Sequence, residues 1–103
     1  MDESTRQNLQ ECLGDSHLLS LEWQDNDLRM VFRHSGNQPQ EMKFRFIWVT
    51  ELSVELEFDQ YSGPSLVFGV SVAASGVGWI VRVDFGVAPE GFIEFKCNGC
   101  TRE

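Results

Sequence analysis

Hydrophobic and polar residues alternate along most of the chain from Ser16 onward, which is the pattern of strands that bury one face. Turn-forming residues divide this alternation into runs, and from them we predict about seven strands, near residues 17–23, 27–34, 41–48, 52–58, 65–74, 77–85 and 92–97. Consecutive strands joined by short turns form an antiparallel meander. Its apolar face is too extensive for an open sheet, so the sequence predicts one mainly β domain over residues 1–103, built as a sandwich or a partly open barrel.

The first two runs define a hairpin register. A two-residue turn at Asp25 and Asn26 suits residues that tolerate positive φ. At the open end of this hairpin the register places His17 opposite His34, on the core side. Nearer the turn it places apolar side chains opposite one another, namely Trp23 with Leu28, Leu21 with Met30, and Leu19 with Phe32.

The third and fourth runs predict a second hairpin. A three-residue connection at 49–51 would set Arg45 opposite Glu55 and Lys43 opposite Glu57. Opposite charges that face each other across two strands are stabilising. We therefore expect a charge-paired solvent face on these strands.

The fifth and sixth runs predict a third hairpin, with a turn at Ser75 and Gly76 that sets Val72 opposite Trp79. Leu66, Phe68, Val70 and Val72 share one face of the fifth strand, the face towards the core. Small and apolar residues form the outward face of the hairpin, and such a surface is rarely left in water. We expect either a helix or a second copy of the chain, in a homodimer, to cover it. The residues of this face are Val67, Gly69, Ser71, Ala73, Gly78 and Ile80.

The first thirteen residues follow a helical pattern. Ser4 and Gln7 have the spacing of a capping box, and Leu9, Cys12 and Leu13 fall at positions i, i+3 and i+4. The sequence predicts a short N-terminal helix near residues 5–13.

Composition indicates an ordinary globular protein. Hydrophobic residues make up 42% of the 103 residues, and no apolar run approaches the length of a membrane span. The N-terminus is acidic and polar, unlike a secretory signal, and three cysteines suit a reducing compartment better than a disulfide framework. We expect a cytoplasmic protein.

The charge balance limits the partners. Sixteen acidic and eight basic residues give a formal net charge of −8. Nucleic-acid phosphates and anionic membranes would repel such a protein, so we expect neither as a partner. A basic protein is electrostatically compatible with it.

Asp15, Ser16 and His17 stand side by side, and Gly14–His17 resembles the nucleophile block of the GDS-type esterases and lipases, in which the serine attacks the substrate. The later sequence blocks of that family are missing. Neighbouring side chains on a strand point to opposite faces, so Ser16 and His17 cannot meet as nucleophile and base. We interpret the segment as a turn into the first strand, and we predict a protein that is not an enzyme and holds no cofactor.

His17 and His34 are the candidates for metal binding, because the predicted register brings them together. Cys12 or Asp15 would have to complete the ligand set. Two ligands do not make a metal site, so we predict no metal. A small ligand- or metal-binding barrel, or an enzyme subunit, is the alternative function.

Cys97 and Cys100 have Cys-x-x-Cys spacing. A structural zinc site needs a second pair of ligands, and the only other cysteine is Cys12. A thioredoxin-type motif precedes a helix, and no helical pattern follows here. We interpret Asn98 and Gly99 as a tight turn between the two cysteines.

The stretch GDSHLLSLEWQDNDLRMVFRH, together with the terminal GFIEFKC, resembles a group of small bacterial β-domains. These domains share an opening [GH]-Asp-[SA]-x-[LI]-x-x-[LI] and a closing Gly-x-[IL]-Glu. Many are uncharacterised, and some are similar to immunity proteins that neutralise a toxin. The resemblance implies a β-rich binding protein and transfers no functional residue.

These observations favour a non-enzymatic protein-binding module, most concretely an immunity-type protein that occludes a basic toxin. Acidic side chains without a predicted ion-pair partner are the candidates for partner binding. They are Glu51, Asp59, Glu90 and Glu94.

Overall fold

The computed structural model describes residues 1–34, 40–57, 65–86 and 90–103, apart from the side chains of Cys12 and Ser65. One helix and eight strands lie in these ranges. They are α1 (Glu3–Cys12), β1 (Ser16–Gln24), β2 (Asp27–His34), β3 (Glu41–Ile47), β4 (Thr50–Glu57), β5 (Ser65–Ser75), β6 (Gly78–Phe85), β7 (Glu90–Cys97) and β8 (Gly99–Arg102). No helix of the described chain has the length and apolar character needed to cross a bilayer.

All strand pairs are antiparallel, in the order β4-β7-β6-β5-β1-β2-β3-β8. β1 and β5 share only two residue pairs, so the sheet bends there into two four-stranded layers. The rings of Phe46 in β3 and Phe95 in β7 lie 4.8 Å apart, although these strands are far apart in the sheet order. The layers therefore face each other as a sandwich. The predicted fold class, mainly β and antiparallel with one N-terminal helix, is confirmed.

Aromatic rings form the centre of the core. Phe32, Phe44, Phe46 and Phe95 are almost completely buried, and successive rings contact one another edge-on or stacked at centroid distances of 4.8–6.5 Å. Each such pair contributes about 0.5–1.5 kcal/mol beyond the burial of its area. The alternation of phenylalanines in β2, β3 and β7 thus joins the two layers.

The helix begins two residues before the predicted start. The carboxylate of Asp2 accepts a hydrogen bond from the backbone N–H of Thr5 at 2.8 Å, and this bond lowers the pKa of Asp2. Asp2 is therefore the N-cap, and the prediction of a capping box at Ser4 and Gln7 is wrong.

The helix lies along the edge of β5 instead of covering the outward face of the hairpin. The backbone N–H of Val72 donates to the side-chain oxygen of Gln10 at 3.1 Å, and the N–H of Asp15 donates to the carbonyl of Val67 at 2.9 Å. Ser71 and Ala73 stay exposed, so the expectation that the helix covers them is wrong. A homodimer through this face stays a prediction.

A β-bulge changes the predicted register of the first hairpin. Trp23 lies opposite Leu28 as predicted, but the register shifts by one residue between Leu18 and Ser20. Leu19 is the extra residue of the bulge and is 42% exposed, and Leu18 takes its predicted place opposite Phe32. An inserted residue reverses the faces of the residues beyond it, here residues 16–18.

A second bulge lies in β5, between Val67 and Gly69. It buries Val67 and leaves Phe68 78% exposed, which reverses the faces predicted for both. The hairpin with β6 turns at 76–77, so Val72 lies opposite Val81 instead of Trp79. A shift of two residues keeps every side chain on its face, which is why Val70 and Val72 are buried as predicted.

The predicted pairing of β3 with β4 is wrong. β3 lies between β2 and β8, and β4 pairs with β7 in the other layer. Trp48 and Glu51 both have positive φ, and these two positions turn the chain away from β3. The Asp27 carboxylate stabilises this connection between β3 and β4. It accepts hydrogen bonds from the backbone N–H of Trp48 at 3.0 Å and from the Arg45 side chain at 2.8 Å.

Candidate functional site

The two histidines do not come together. Because of the bulge, His17 lies opposite Arg33 and His34 lies opposite Ser16. Adjacent positions of a ladder point to opposite faces, so the side chains of His17 and His34 lie on different sides of the sheet. The predicted face-to-face placement is wrong. Among the described residues, no three His, Cys, Asp or Glu side chains are grouped to hold a metal ion.

Ser16 has a structural contact. Its side chain is buried, and its hydroxyl donates a hydrogen bond to the backbone carbonyl of Leu13 at the end of α1. Asp15 adopts positive φ and makes the turn between α1 and β1. The segment thus joins the helix to the first strand.

Cys97 and Cys100 are both buried and reduced. Burial raises the pKa of the Cys97 thiol to about 11 and that of the Cys100 thiol to about 12. Because the thiolate is the nucleophile and the metal ligand, these protonated thiols are poorly suited to either role at neutral pH.

The predicted partner-binding acids have different surroundings from those expected. Glu51 forms an ion pair with Lys96 at 2.8 Å, and Glu94 forms one with Arg82 at 3.6 Å. The prediction that both glutamates lack a partner is therefore wrong. Glu90 is exposed and has no ion pair with the described residues. Asp59 lies outside the part of the chain that the structure describes.

Glu55 and Glu57 are the acids that sequence reasoning missed. Their predicted partners were Arg45 and Lys43 of β3, but β4 lies in the other layer and Arg45 binds Asp27 instead. Both glutamates are exposed, and neither forms an ion pair within the described ranges. The sequence does indicate that they lie together, because the alternation alone puts Glu55 and Glu57 on one face of β4.

The pairing of β4 with β7 collects these side chains on the outer face of the sandwich. Glu57 lies directly opposite Glu90, Glu55 opposite Phe92, and Ser53 opposite Glu94. Glutamates that face each other across strands repel. We call the surface formed by Glu55, Glu57, Glu90 and Glu94 the acidic face.

One arginine borders the acidic face. Arg82 of β6 binds Asp84 at 2.9 Å, an interaction that raises the pKa of the guanidinium, and it reaches Glu94 at 3.6 Å. The same guanidinium lies 4.0 Å from the ring centroid of Phe92. Arg82 therefore compensates the side of the face nearest β6 and leaves Glu55, Glu57 and Glu90 without a cation among the described residues.

An apolar cleft lies on the inner side of β4. Its volume is about 330 Å³, and it opens to solvent between β1 and β4. Leu19 and Leu21 of β1 line one wall, and Val54 and Leu56 of β4 line the other. Val54 is 52% exposed, so the cleft presents apolar surface to water beside the acidic face.

Gly91 allows β4 to lie at this position. Its φ is +138°, and a Cβ built on it would lie 1.8 Å from the carbonyl oxygen of Glu55. Only glycine fits where the two backbones approach so closely. Gly91 therefore fixes the position of the acidic face.

Comparisons of the chain with protein-family models, with curated proteins and with solved structures find no match.

Proposed function

We propose that this protein is a non-enzymatic protein-binding module that binds a basic protein through its acidic face, in the manner of an immunity protein that occludes a toxin. The observation that carries the proposal is that Glu55, Glu57 and Glu90 have no ion pair with the described residues, and that Glu57 faces Glu90 across the ladder. Repulsion at this pair costs stability in the isolated protein. A cationic side chain from a partner would relieve it.

Electrostatics supports a basic partner in a second way. The net charge of −8 attracts a basic protein over a distance of about one Debye length, roughly 8 Å at physiological salt. Complementary charge of this kind raises association rates towards about 10⁸ M⁻¹s⁻¹ at low salt and suppresses acidic partners. An inhibitor that must reach a toxin before the toxin acts benefits most from fast association.

Co-expression with the product of the neighbouring gene tests the proposal. We expect the protein to prevent growth inhibition by that product and to bind it in isothermal titration calorimetry. The double variant Glu55→Gln with Glu57→Gln should weaken binding by about tenfold or more, because it removes the charge–charge contacts of both glutamates with the basic partner.

The matched control is Glu11→Gln together with Glu41→Gln. Both of these glutamates are exposed, and the pair changes the net charge by the same amount without touching β4. We expect less than about a twofold change in affinity for this control. The proposal is contradicted if the neighbouring product neither binds nor is neutralised, or if the two double variants weaken binding equally.

A further inference from the structure

Two strand edges are open on the same side of the sandwich. Within the described ranges β4 pairs with β7 alone, and β1 pairs only with β2 beyond Leu18. The apolar cleft lies between these two edges, since Leu19 of β1 and Val54 of β4 both line it. An open edge carries unpaired backbone N–H and C=O groups, which are the groups that bind an additional strand.

The opposite side of the sandwich is occupied. There α1 contacts both β5 and β8, and Gln10 and Asp15 hydrogen-bond to the β5 backbone. The structure thus covers the β5 edge with its own helix, whereas none of the described residues pairs with the outer edge of β4.

We propose that the edge of β4 accepts one extended strand from the partner, and that this strand alternates cationic with apolar residues. The inference deepens the proposed function and rests on it, because it gives the partner's recognition segment.

The alternation follows from the two faces of β4. Val54 and Leu56 point to the cleft, and Glu55 and Glu57 point to the acidic face. Residues of an added strand share the faces of the residues beside them. Its apolar side chains would therefore enter the cleft, and its Lys or Arg side chains would lie beside the glutamates.

Charge argues against a homodimer in which β4 pairs with β4 of a second copy. Pairing β4 with β4 of another copy would bring Glu55 and Glu57 against the same glutamates of that copy, and each copy carries a net charge of −8. A cationic strand brings the complementary charges instead.

The chain itself contains a strand of the required pattern. β3 reads EMKFRFI, with Lys43 and Arg45 between phenylalanines, and its charges complement those of β4. β3 is already paired on both edges, with β2 and β8, so it cannot occupy the β4 edge. The complementary strand must come from a partner.

A peptide-binding experiment tests the inference. The probe is Lys-Val-Lys-Leu-Arg-Val-Lys-amide with a fluorophore linked to its N-terminal amine, and binding is measured by fluorescence anisotropy. One comparison peptide has the same composition with its cationic and apolar residues in separate blocks. Another carries N-methyl groups on alternate amides, which removes half of the donors of the strand. We expect the alternating peptide to bind about tenfold or more tightly than either comparison peptide.

Protein variants locate the binding. Val54→Lys places a cation in the cleft wall and should weaken binding of the probe by about tenfold. Val77→Lys is the matched control, because Val77 is fully exposed in the turn between β5 and β6 and far from the cleft wall. We expect less than about a twofold change for this control, and circular dichroism checks that both variants fold.

Each outcome bears on the inference separately from the proposed function. Equal affinity for the alternating and block peptides, no binding of the probe, or no effect of Val54→Lys would overturn strand addition. If the neighbouring gene product still binds in a way that depends on Glu55 and Glu57, the proposed function stands and only the binding mode is wrong.

Discussion

At the scale of single residues, Gly91 decides how closely β4 approaches β7. Its positive φ and the short approach to the carbonyl of Glu55 leave no room for a side chain. Gly69 is a useful contrast, since a Cβ there would meet nothing within 4 Å and its φ lies in the ordinary range.

Gly91→Ala should therefore lower the free energy of unfolding by about 3 kcal/mol, because backbone strain and a backbone clash act together. Urea denaturation of the variant and of Gly69→Ala measures this, and we expect Gly69→Ala to change the stability by less than about 1 kcal/mol. Equal losses in the two variants would show that the approach of β4 to β7 is not tight.

At the scale of elements, the crossing from β3 to β4 decides which strands become neighbours. Asp27 holds it, and the hydrogen bond from the Trp48 N–H, followed by that from Arg45, lowers the pKa of the Asp27 carboxyl. A carboxyl whose pKa is lowered by folding stabilises the protein above its unfolded-state pKa of about 3.9. This stabilisation is lost as the pH falls through the lower folded-state pKa.

Asp27→Asn should thus lower the urea midpoint at pH 7, and the difference from the unmodified protein should shrink as the pH falls below about 4. Asp25→Asn in the same hairpin turn is the control, since Asn tolerates the positive φ of Asp25 and no described hydrogen bond is lost. A loss at Asp27 that is independent of pH would argue against the carboxylate as the cause.

The alternation along the chain predicts which side chains face the core better than it predicts which strands pair with each other. Val81, Val83, Ile93 and Phe95 are buried as their positions in the runs predict. Period-two reasoning fails at Leu19 and Phe68 because a bulge adds one residue and reverses the faces, with no marked change in composition.

The candidate site depends on the pairing of β4 with β7 and was therefore only partly predictable. Glu90 and Glu94 were candidates because the predicted register gave them no ion-pair partner, and both lie on the acidic face, although Glu94 pairs with Arg82. Glu55 and Glu57 were assigned to ion pairs with β3, because the charges of β3 and β4 are complementary. The positive φ at Trp48 and Glu51 directs β4 away from β3. Neither Trp nor Glu favours positive φ, so the sequence does not predict this change of direction.

At the scale of the whole molecule, the two sides of the sandwich differ. The helix closes the side of β5 and β8, whereas the side of β1 and β4 keeps an apolar cleft beside uncompensated carboxylates. Charged side chains on an open edge strand oppose edge-to-edge aggregation, and the glutamates on β4 have this effect as well. In the binding mode that we propose, the same charges would favour a cationic strand over β4 of another copy of this acidic chain.

Hydrogen–deuterium exchange of the protein with and without the alternating cationic peptide tests the central claim most directly, because it reports on backbone amides one segment at a time. We predict that binding slows the exchange of residues 50–57, the amides of β4, and leaves the turn at 76–77 unchanged. Slowed exchange elsewhere with β4 unaffected would contradict the claim that this edge and its acidic face form the binding surface.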